Sequence, residues 1–243
     1  MKHLFTISLF LILAGNAQSQ WWFDIGAKGA WGATGMYDQN VFDHGSYKHA
    51  LTTGTAFGGR LGFNYGYHVG FSFEYGTATS NQDFNYELGG VNYDPYNSFK
   101  WKHNDMALLF RYSGNGAYIE IGGKTSSIKS VELETTGPGN PVVGDVSENF
   151  EKNYTSGIFG FGSYLAGSEL LTINLGIRLH WAFTDMVNET GKAANYPIVV
   201  DQLDDPSKKT LATAAQLQME INYAFGRFSK EACHDRWRLI LFQ

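Results

Sequence analysis

The 243-residue chain has room for one or two domains, and no stretch of it reads as a linker between two cores. Aromatics make up 16% and charged residues only 17%, with 29 Gly against 5 Pro, yet mean hydropathy is -0.24, so apolar and polar residues are interleaved. That excludes a helical membrane protein, which needs about 20 consecutive apolar residues per span, and a net charge of -5 excludes the basic stripe of a nucleic-acid binder.

The chain opens on Lys2 and His3, followed by an apolar centre from Leu4 to Gly15 and then Ala17-Gln18-Ser19. This is the layout of a secretory signal peptide, too short to span as a helix, with cleavage expected after Ser19 and Gln20 as the new N-terminus. No cysteine lies near that site. Cys233 is the only one in the chain, so no intramolecular disulfide and no multi-Cys metal site can form.

Segments of strict alternation then recur, and on a strand alternation means two different faces. Trp21 to Thr34 sets Phe23, Ile25, Ala27 and Trp31 against Asp24, Gly26, Lys28 and Gly32. Thr53 to Tyr67 opposes Phe57, Leu61, Phe63 and Tyr65 to Gly58, Arg60, Gly62 and Asn64, and Val69 to Gly76 opposes Phe71, Phe73 and Tyr75 to Gly70, Ser72 and Glu74. Lys102 to Ser113 turns Met106, Leu108, Phe110 and Tyr112 away from Asp105, Ala107 and Arg111. Ala117 to Thr125 does the same with Ile119 and Ile121 against Tyr118, Glu120 and Lys124. Tyr154 to Leu165 is the least regular, with Ile158 out of phase with Phe159 and Phe161. Leu170 to Thr184 is the most regular: Leu171, Ile173, Leu175, Ile177, Leu179, Trp181 and Phe183 alternate with small or polar residues including Arg178 and His180. Ala214 to Phe225 closes the series, with Leu217, Met219, Ile221, Tyr223 and Phe225 against Gln216, Gln218, Glu220 and Asn222.

Three connections, near Gly66, Gly114 and Gly167, have hairpin length. Four are long, roughly 35–53, 77–101, 126–153 and 185–213. Strict alternation of short and long is the arrangement of an up-and-down transmembrane barrel, with short periplasmic turns and long extracellular loops. A bilayer also demands closure, because an open sheet edge leaves backbone groups unpaired in hydrocarbon. Aromatics near strand ends (Trp21, Trp22, Tyr67, Trp101, Tyr112, Trp181) suit interfacial girdles. A soluble lipocalin-type barrel would reverse the faces.

On these segments the chain resembles the small eight-stranded outer-membrane barrels of the OmpA/OmpX type, and more closely the outer-membrane barrel-domain proteins of Bacteroidetes. The signal peptide followed by Gln20, the eight alternating segments and the ending Asn222 to Cys233 carry that resemblance. It implies an all-β fold in the outer membrane of a Gram-negative cell, with contact to outer-membrane lipid and lipopolysaccharide, and no particular activity. One departure is the tail: Phe225 or Phe228, where such a barrel would end, is followed by about fifteen more residues. The expected organisation is a signal peptide over 1–19, a barrel over 20–228 and a periplasmic tail over 229–243, the tail being an appendage or else an extra strand.

Parity places Asp24, Glu74, Asp105, Glu120 and Glu220 in the lumen as acids, and Lys28, Arg60, Arg111, Lys124 and Arg178 as bases. Eight strands leave an interior just wide enough to be filled by side chains, and buried charges persist only when paired. The expectation is an ion-pair network that plugs the barrel, with His180 hydrogen-bonded to an acid such as Glu120 or Glu220. The alternative is a narrow pore that opens when pairs exchange. A hydrolytic or proteolytic group of Ser72, His180 and an acid is the third possibility. It lacks motif support, and no histidine falls on an outward parity, where a lipid-processing enzyme would need one. No catalytic residue, cofactor site or metal site is therefore expected. The long loops are acidic on balance, and the Tyr/Asn-rich segment Asn85 to Phe99 suits adaptable contacts. Envelope partners are expected to meet the loops or the basic tail (Arg227, Lys230, Arg236, Arg238).

Overall fold

The computed structural model describes residues 21–66, 68–136, 143–168, 170–199, 205–230 and 237–240. The expected signal peptide lies outside the described residues. The strands are β1 (Trp21–Asp38), β2 (Tyr47–Ala50), β3 (Thr52–Tyr65), β4 (Val69–Leu88), β5 (Val91–Gly114), β6 (Ala117–Thr135), β7 (Val143–Asp145), β8 (Asn153–Gly167), β9 (Leu171–Ala182), β10 (Thr210–Lys230) and β11 (Trp237–Ile240). Two short helices, α1 (Gln39–Asp43) and α2 (Glu189–Ala193), lie in the long connections.

Eight of these strands form a closed antiparallel ring in the order β1-β3-β4-β5-β6-β8-β9-β10, with β10 pairing back to β1 over its whole length. The outward side chains are large, apolar and open to the surroundings: Leu108 is 68% exposed, Phe57 67% and Ile121 60%. Facing inward, Glu74, Arg111, Glu120, Arg178 and Glu220 are almost wholly buried. Water outside and oil inside would give the opposite arrangement, so the solvent around this ring is hydrocarbon. The fold is an eight-stranded up-and-down transmembrane β-barrel.

The three short turns gather at one end. Asn115 and Gly116 both take positive φ (52° and 79°), the backbone of a tight two-residue hairpin whose twist matches its strands. Around this end Trp21 stacks on Phe63 at 4.6 Å and leans on Tyr65 at 4.5 Å, and Trp22 Nε1 donates to the Gly66 carbonyl at 2.8 Å. That is an interfacial girdle.

The other end differs from the loops expected there. Segment 77–101 is a continuation of β4 and β5, turning only at Gly89 and Gly90, and β6 likewise runs on to Thr135. β2 pairs with β4 (Tyr47 opposite Tyr86) and β7 with β6 (Glu132 opposite Asp145), widening this extension into a tower of sheet. At 24 residues, β5 is about 80 Å long at roughly 3.3 Å per residue, far more than the 9–11 residues a tilted crossing needs. Inside the tower, Phe84, Phe99, Trp101, Val131 and Leu133 form a buried apolar core with Val41, Phe150, Met186, Val187, Tyr196 and Ile198 from the connections.

Two further details complete the sequence reading. Ile158 is out of phase with the outward Phe159 and Phe161 because it points inward, 3% exposed, and packs with Ala107 and Leu109 as an apolar patch on the lumen wall. The tail includes β11, whose backbone pairs with Arg227–Lys230 on the edge of β10 that lies beyond its pairing with β9, outside the eight-stranded ring.

Candidate functional site

The lumen is filled at two levels. The level within the bilayer is ionic. Arg178 on β9 holds Glu74 of β4 through both terminal nitrogens, at 2.6 and 2.8 Å, reaches Glu220 of β10 at 3.2 Å, and bonds Glu120 of β6 through Nε. Arg111 on β5 joins the same Glu120 at 2.8 Å and the same Glu220 at 2.9 Å. Lys28 of β1 completes the group by pairing with Glu74. Three carboxylates and three cations from six of the eight strands thus meet near the barrel axis. The remaining lone pairs of Glu220 are taken by Gln218 and by Asn174 and Asn222 at 3.5 and 3.4 Å.

Two satellite pairs flank this centre. Arg60 donates to Asp24 at 3.0 Å, and Asn64 adds a bond to the other oxygen at 2.6 Å. Lys124 donates to Asp105 at 2.8 Å, Ser126 donates to the same carboxylate at 2.6 Å, and His103 contacts it at 2.7 Å. Room for these groups comes from inward glycines. Gly162 and Gly176 face each other across β8 and β9, where a Cβ on either would strike the Tyr118 hydroxyl. The ring of Tyr118 in turn lies 4.1 Å from the Arg111 guanidinium carbon.

Of the eleven lumen residues marked in the sequence, ten therefore stand in ion pairs with one another. His180 does not. It lines a cavity of about 30 Å³ beside Lys28, Glu74, Asp105, Lys124 and Arg178, and its Nδ1 has no hydrogen-bond partner among the described residues. Glu120 and Glu220 are already taken by the two arginines, whose several N–H donors engage more than one carboxylate at once, which an imidazole cannot match. Ser72 is buried with its Oγ equally unpartnered, and no hydrogen bond joins it to His180.

A different Ser–His–Asp succession was missed. Ser80 Oγ lies 3.3 Å from His103 Nε2, and His103 Nδ1 lies 2.7 Å from Asp105 Oδ1, the order of a catalytic relay. Its surroundings are unlike an open active site. Asp105 is shared with Lys124 and Ser126, and the Tyr154 hydroxyl approaches the same Nε2 at 3.4 Å. Both Ser80 and His103 are buried, and neither lines the nearby cavity. No substrate reaches Ser80 in this conformation. The signal for His103 is its parity with Asp105 two residues on, which is unbroken along β5 and lies at the very start of the segment read as a strand.

Above the ionic level the lumen becomes aromatic. Phe99, Phe150 and Tyr196 form a mutual edge-on cluster with centroids 5.8–6.2 Å apart, and Phe84 meets Phe99 at 5.9 Å. Hydrogen bonds hold the connections in this plug. Asp38 caps α1 by accepting from Asn40 N at 2.8 Å and also accepts from Thr210 Oγ1 at 2.6 Å, which fixes Val41 in the core. Asn97 Nδ2 donates to the Ile198 carbonyl at 2.9 Å while its Oδ1 accepts from Thr135 at 2.8 Å. Among the described residues no group of three or more His, Cys, Asp or Glu is placed to hold a metal ion.

No protein-family model matches the chain, and no curated protein matches its sequence. Among solved structures, Neisserial surface protein A is similar, at 10% identity and a TM-score of 0.42, covering 83% of this chain and 96% of that one. The outer membrane protein OprG from Pseudomonas aeruginosa is similar at 11% identity and a TM-score of 0.40, covering 86% and 96%. Ail, the attachment invasion locus protein of Yersinia pestis, is similar at 10% identity and a TM-score of 0.38, covering 86% and 99%. These neighbours are small outer-membrane β-barrels.

Proposed function

We propose that this protein is a sealed, non-catalytic barrel of a Gram-negative outer membrane, exported by a leader over residues 1–19, which acts by contact through its extracellular tower. The observation that carries this reading is the pairing of a lumen filled at two levels with a β4–β5–β6 sheet that continues well past the bilayer. A pore needs a continuous polar path. Here the ionic centre lies beneath the aromatic plug, and opening it would strand charges in a low-dielectric interior. A narrow pore, a secretion-assembly component and a lipid hydrolase or protease are the competing functions, and the plug and the sealed Ser80 weigh against the first and last. The barrel over 20–228 acts as the membrane anchor, and the tail over 229–243 is a periplasmic appendage.

Two measurements test the proposal. Purified protein in planar bilayers should give no conductance steps; regular steps would overturn the sealed lumen. Replacing residues 84–97 by Asn-Gly shortens the tower while keeping a hairpin. Cells bearing this variant should insert it normally yet lose adherence or partner co-purification in mild detergent. Unchanged contact would remove the tower from the function.

A further inference from the structure

Three lysines stand where the apolar wall ends. Outward residues of β4, β5 and β6 form ladders whose chemistry changes with height. The ring Tyr75, Met106, Thr125 is followed by Thr77, Asn104, Ser127, then by Thr79, Lys102, Ser130, then by Asn81, Lys100, Glu132, and then by Asp83, Ser98, Glu134. The order is apolar, neutral polar, basic, mixed and acidic. The slip between Lys102 and His103 makes Lys129 the extra residue between Ile128 and Ser130, at the basic level; bulges of this kind re-aim side chains. Lys102 is ten residues above Tyr112 on β5, about 26 Å along the membrane normal for a strand tilted by roughly 40°. The apolar band of such barrels is about 25 Å tall. Lys102 and Lys129 therefore stand at its rim, with Lys100 a few ångströms higher.

These lysines differ from three others above the bilayer, though not from Lys152 and Lys209, which likewise make no ion pair among the described residues. Lys48 is paired with Glu87 at 3.9 Å, Lys192 with Asp185 at 2.8 Å and Lys208 with Asp43 at 2.9 Å. Lys100, Lys102 and Lys129 are exposed and make no ion pair among the described residues, although Glu132 lies across the ladder from Lys100. Cations left unpaired beside a hydrocarbon wall, in loops that are acidic on balance, match an anion embedded in the membrane surface.

We propose that Lys100, Lys102 and Lys129 form a docking site on the outer wall for the phosphate groups of an outer-leaflet lipid, whose acyl chains lie against Tyr75, Met106 and Leu108 below. This deepens the contact function above and rests on the transmembrane fold. Ammonium groups on flexible stems reach down to phosphates as point charges while their stems cover the wall.

The test uses the full mature barrel, refolded in detergent, mixed with bisphosphorylated lipid A and examined by native mass spectrometry. Wild type should retain the lipid, and Lys100→Gln/Lys102→Gln/Lys129→Gln should retain it on the order of a hundredfold more weakly, from about fivefold per lysine at an anionic surface. Lys48→Gln/Lys192→Gln/Lys208→Gln serves as control and should bind as wild type. Equal retention by wild type and the first triple variant, or equal retention of dephosphorylated lipid, overturns the site, as does binding of a soluble polyanion such as heparin in place of the lipid. Circular dichroism and the heat-dependent gel shift of a folded barrel report insertion separately, so failure of the barrel reading and failure of the lysine site give different results.

Discussion

Arg178 is the residue on which the ionic centre depends most, and Arg178→Met is the change that tests this. The substitution keeps an unbranched chain of similar length, so packing on Gly160 is kept while the charge goes. Of the three carboxylates that Arg178 touches, Glu74 keeps Lys28, but Glu120 and Glu220 are left to share Arg111. One net negative charge is then buried without a partner, and breaking a buried pair in this way costs about 3–5 kcal/mol. The geometry supplies its own rescue. Adding Glu120→Gln leaves two closed pairs, Lys28 with Glu74 and Arg111 with Glu220, and the lumen is neutral again. The double variant should therefore be more stable than Arg178→Met alone, recovering at least about half of the loss, a coupling of roughly 2 kcal/mol between contacting residues. Reversible urea unfolding in lipid vesicles, followed by tryptophan fluorescence, measures all four corners of the cycle. A single variant within about 1 kcal/mol of wild type would mean that water already screens the lumen. A double variant less stable than the single would mean that Glu120 is held by something other than charge.

Four further outcomes are expected of the barrel and its tower. Ile177→Arg, on the outward face of β9, should cost about 2–4 kcal/mol in vesicles; no cost would contradict a hydrocarbon surround. Ile158→Ala should lose about 2–5 kcal/mol by opening a void against Ala107 and Leu109, whereas an outward Ile158 would lose little in the same unfolding assay. A fluorophosphonate probe should leave the folded protein unlabelled, because Ser80 is sealed; a Ser80 adduct found by mass spectrometry would reinstate the hydrolase. His49 packs on Phe84 at 5.3 Å, and burial holds its pKa below the ordinary 6.5 although Asp38 pulls the other way. The unfolded chain takes up the proton first, so the stability His49 contributes is complete above about pH 6.5 and lost as pH falls through that value toward the lowered pKa. His49→Gln should be less sensitive than wild type when urea midpoints at pH 7.5 and pH 5 are compared.

The membrane-spanning part of this fold was legible because the bilayer and the lumen impose opposite demands on neighbouring residues. Leu171, Ile173, Leu175, Ile177, Leu179 and Trp181 meet lipid while Asn174 and Arg178 meet the axis, and no other fold class asks for that contrast on eight strands in succession. The lumen charges could be marked from parity alone, since parity decides the face. Their partners could not, because shear between strands sets which levels coincide. His180 and Arg178 are two residues apart on one strand, yet Arg178 meets three carboxylates while His180 Nδ1 meets none. Ile158 is out of phase with Phe159 and Phe161, as its position in the sequence says, but the reason for an apolar residue facing inward shows only once Ala107 and Leu109 are seen beside it.

The tower was illegible for a reason that also locates the membrane. β4 keeps the same parity from Val69 to Glu87, but the meaning of each face reverses along it. Low on the strand, Phe71, Phe73 and Tyr75 point out and Ser72 and Glu74 point in. Higher up, Asn81, Asp83 and Asn85 point out while Phe84 and Tyr86 point in and are buried. Between them, Thr77, Ala78, Thr79, Ser80 and Gln82 give small or polar residues on both faces, so the hydrophobic period vanishes and the segment reads as loop. β5 and β6 reverse in the same zone, from Met106 to Trp101 and from Ile121 to Val131. A strand reverses its pattern only where its outer solvent changes from oil to water, so the reversal marks the bilayer surface from sequence order alone. Lys102 and Lys129 lie within that zone, so the lysine site proposed above falls at the height of the bilayer surface.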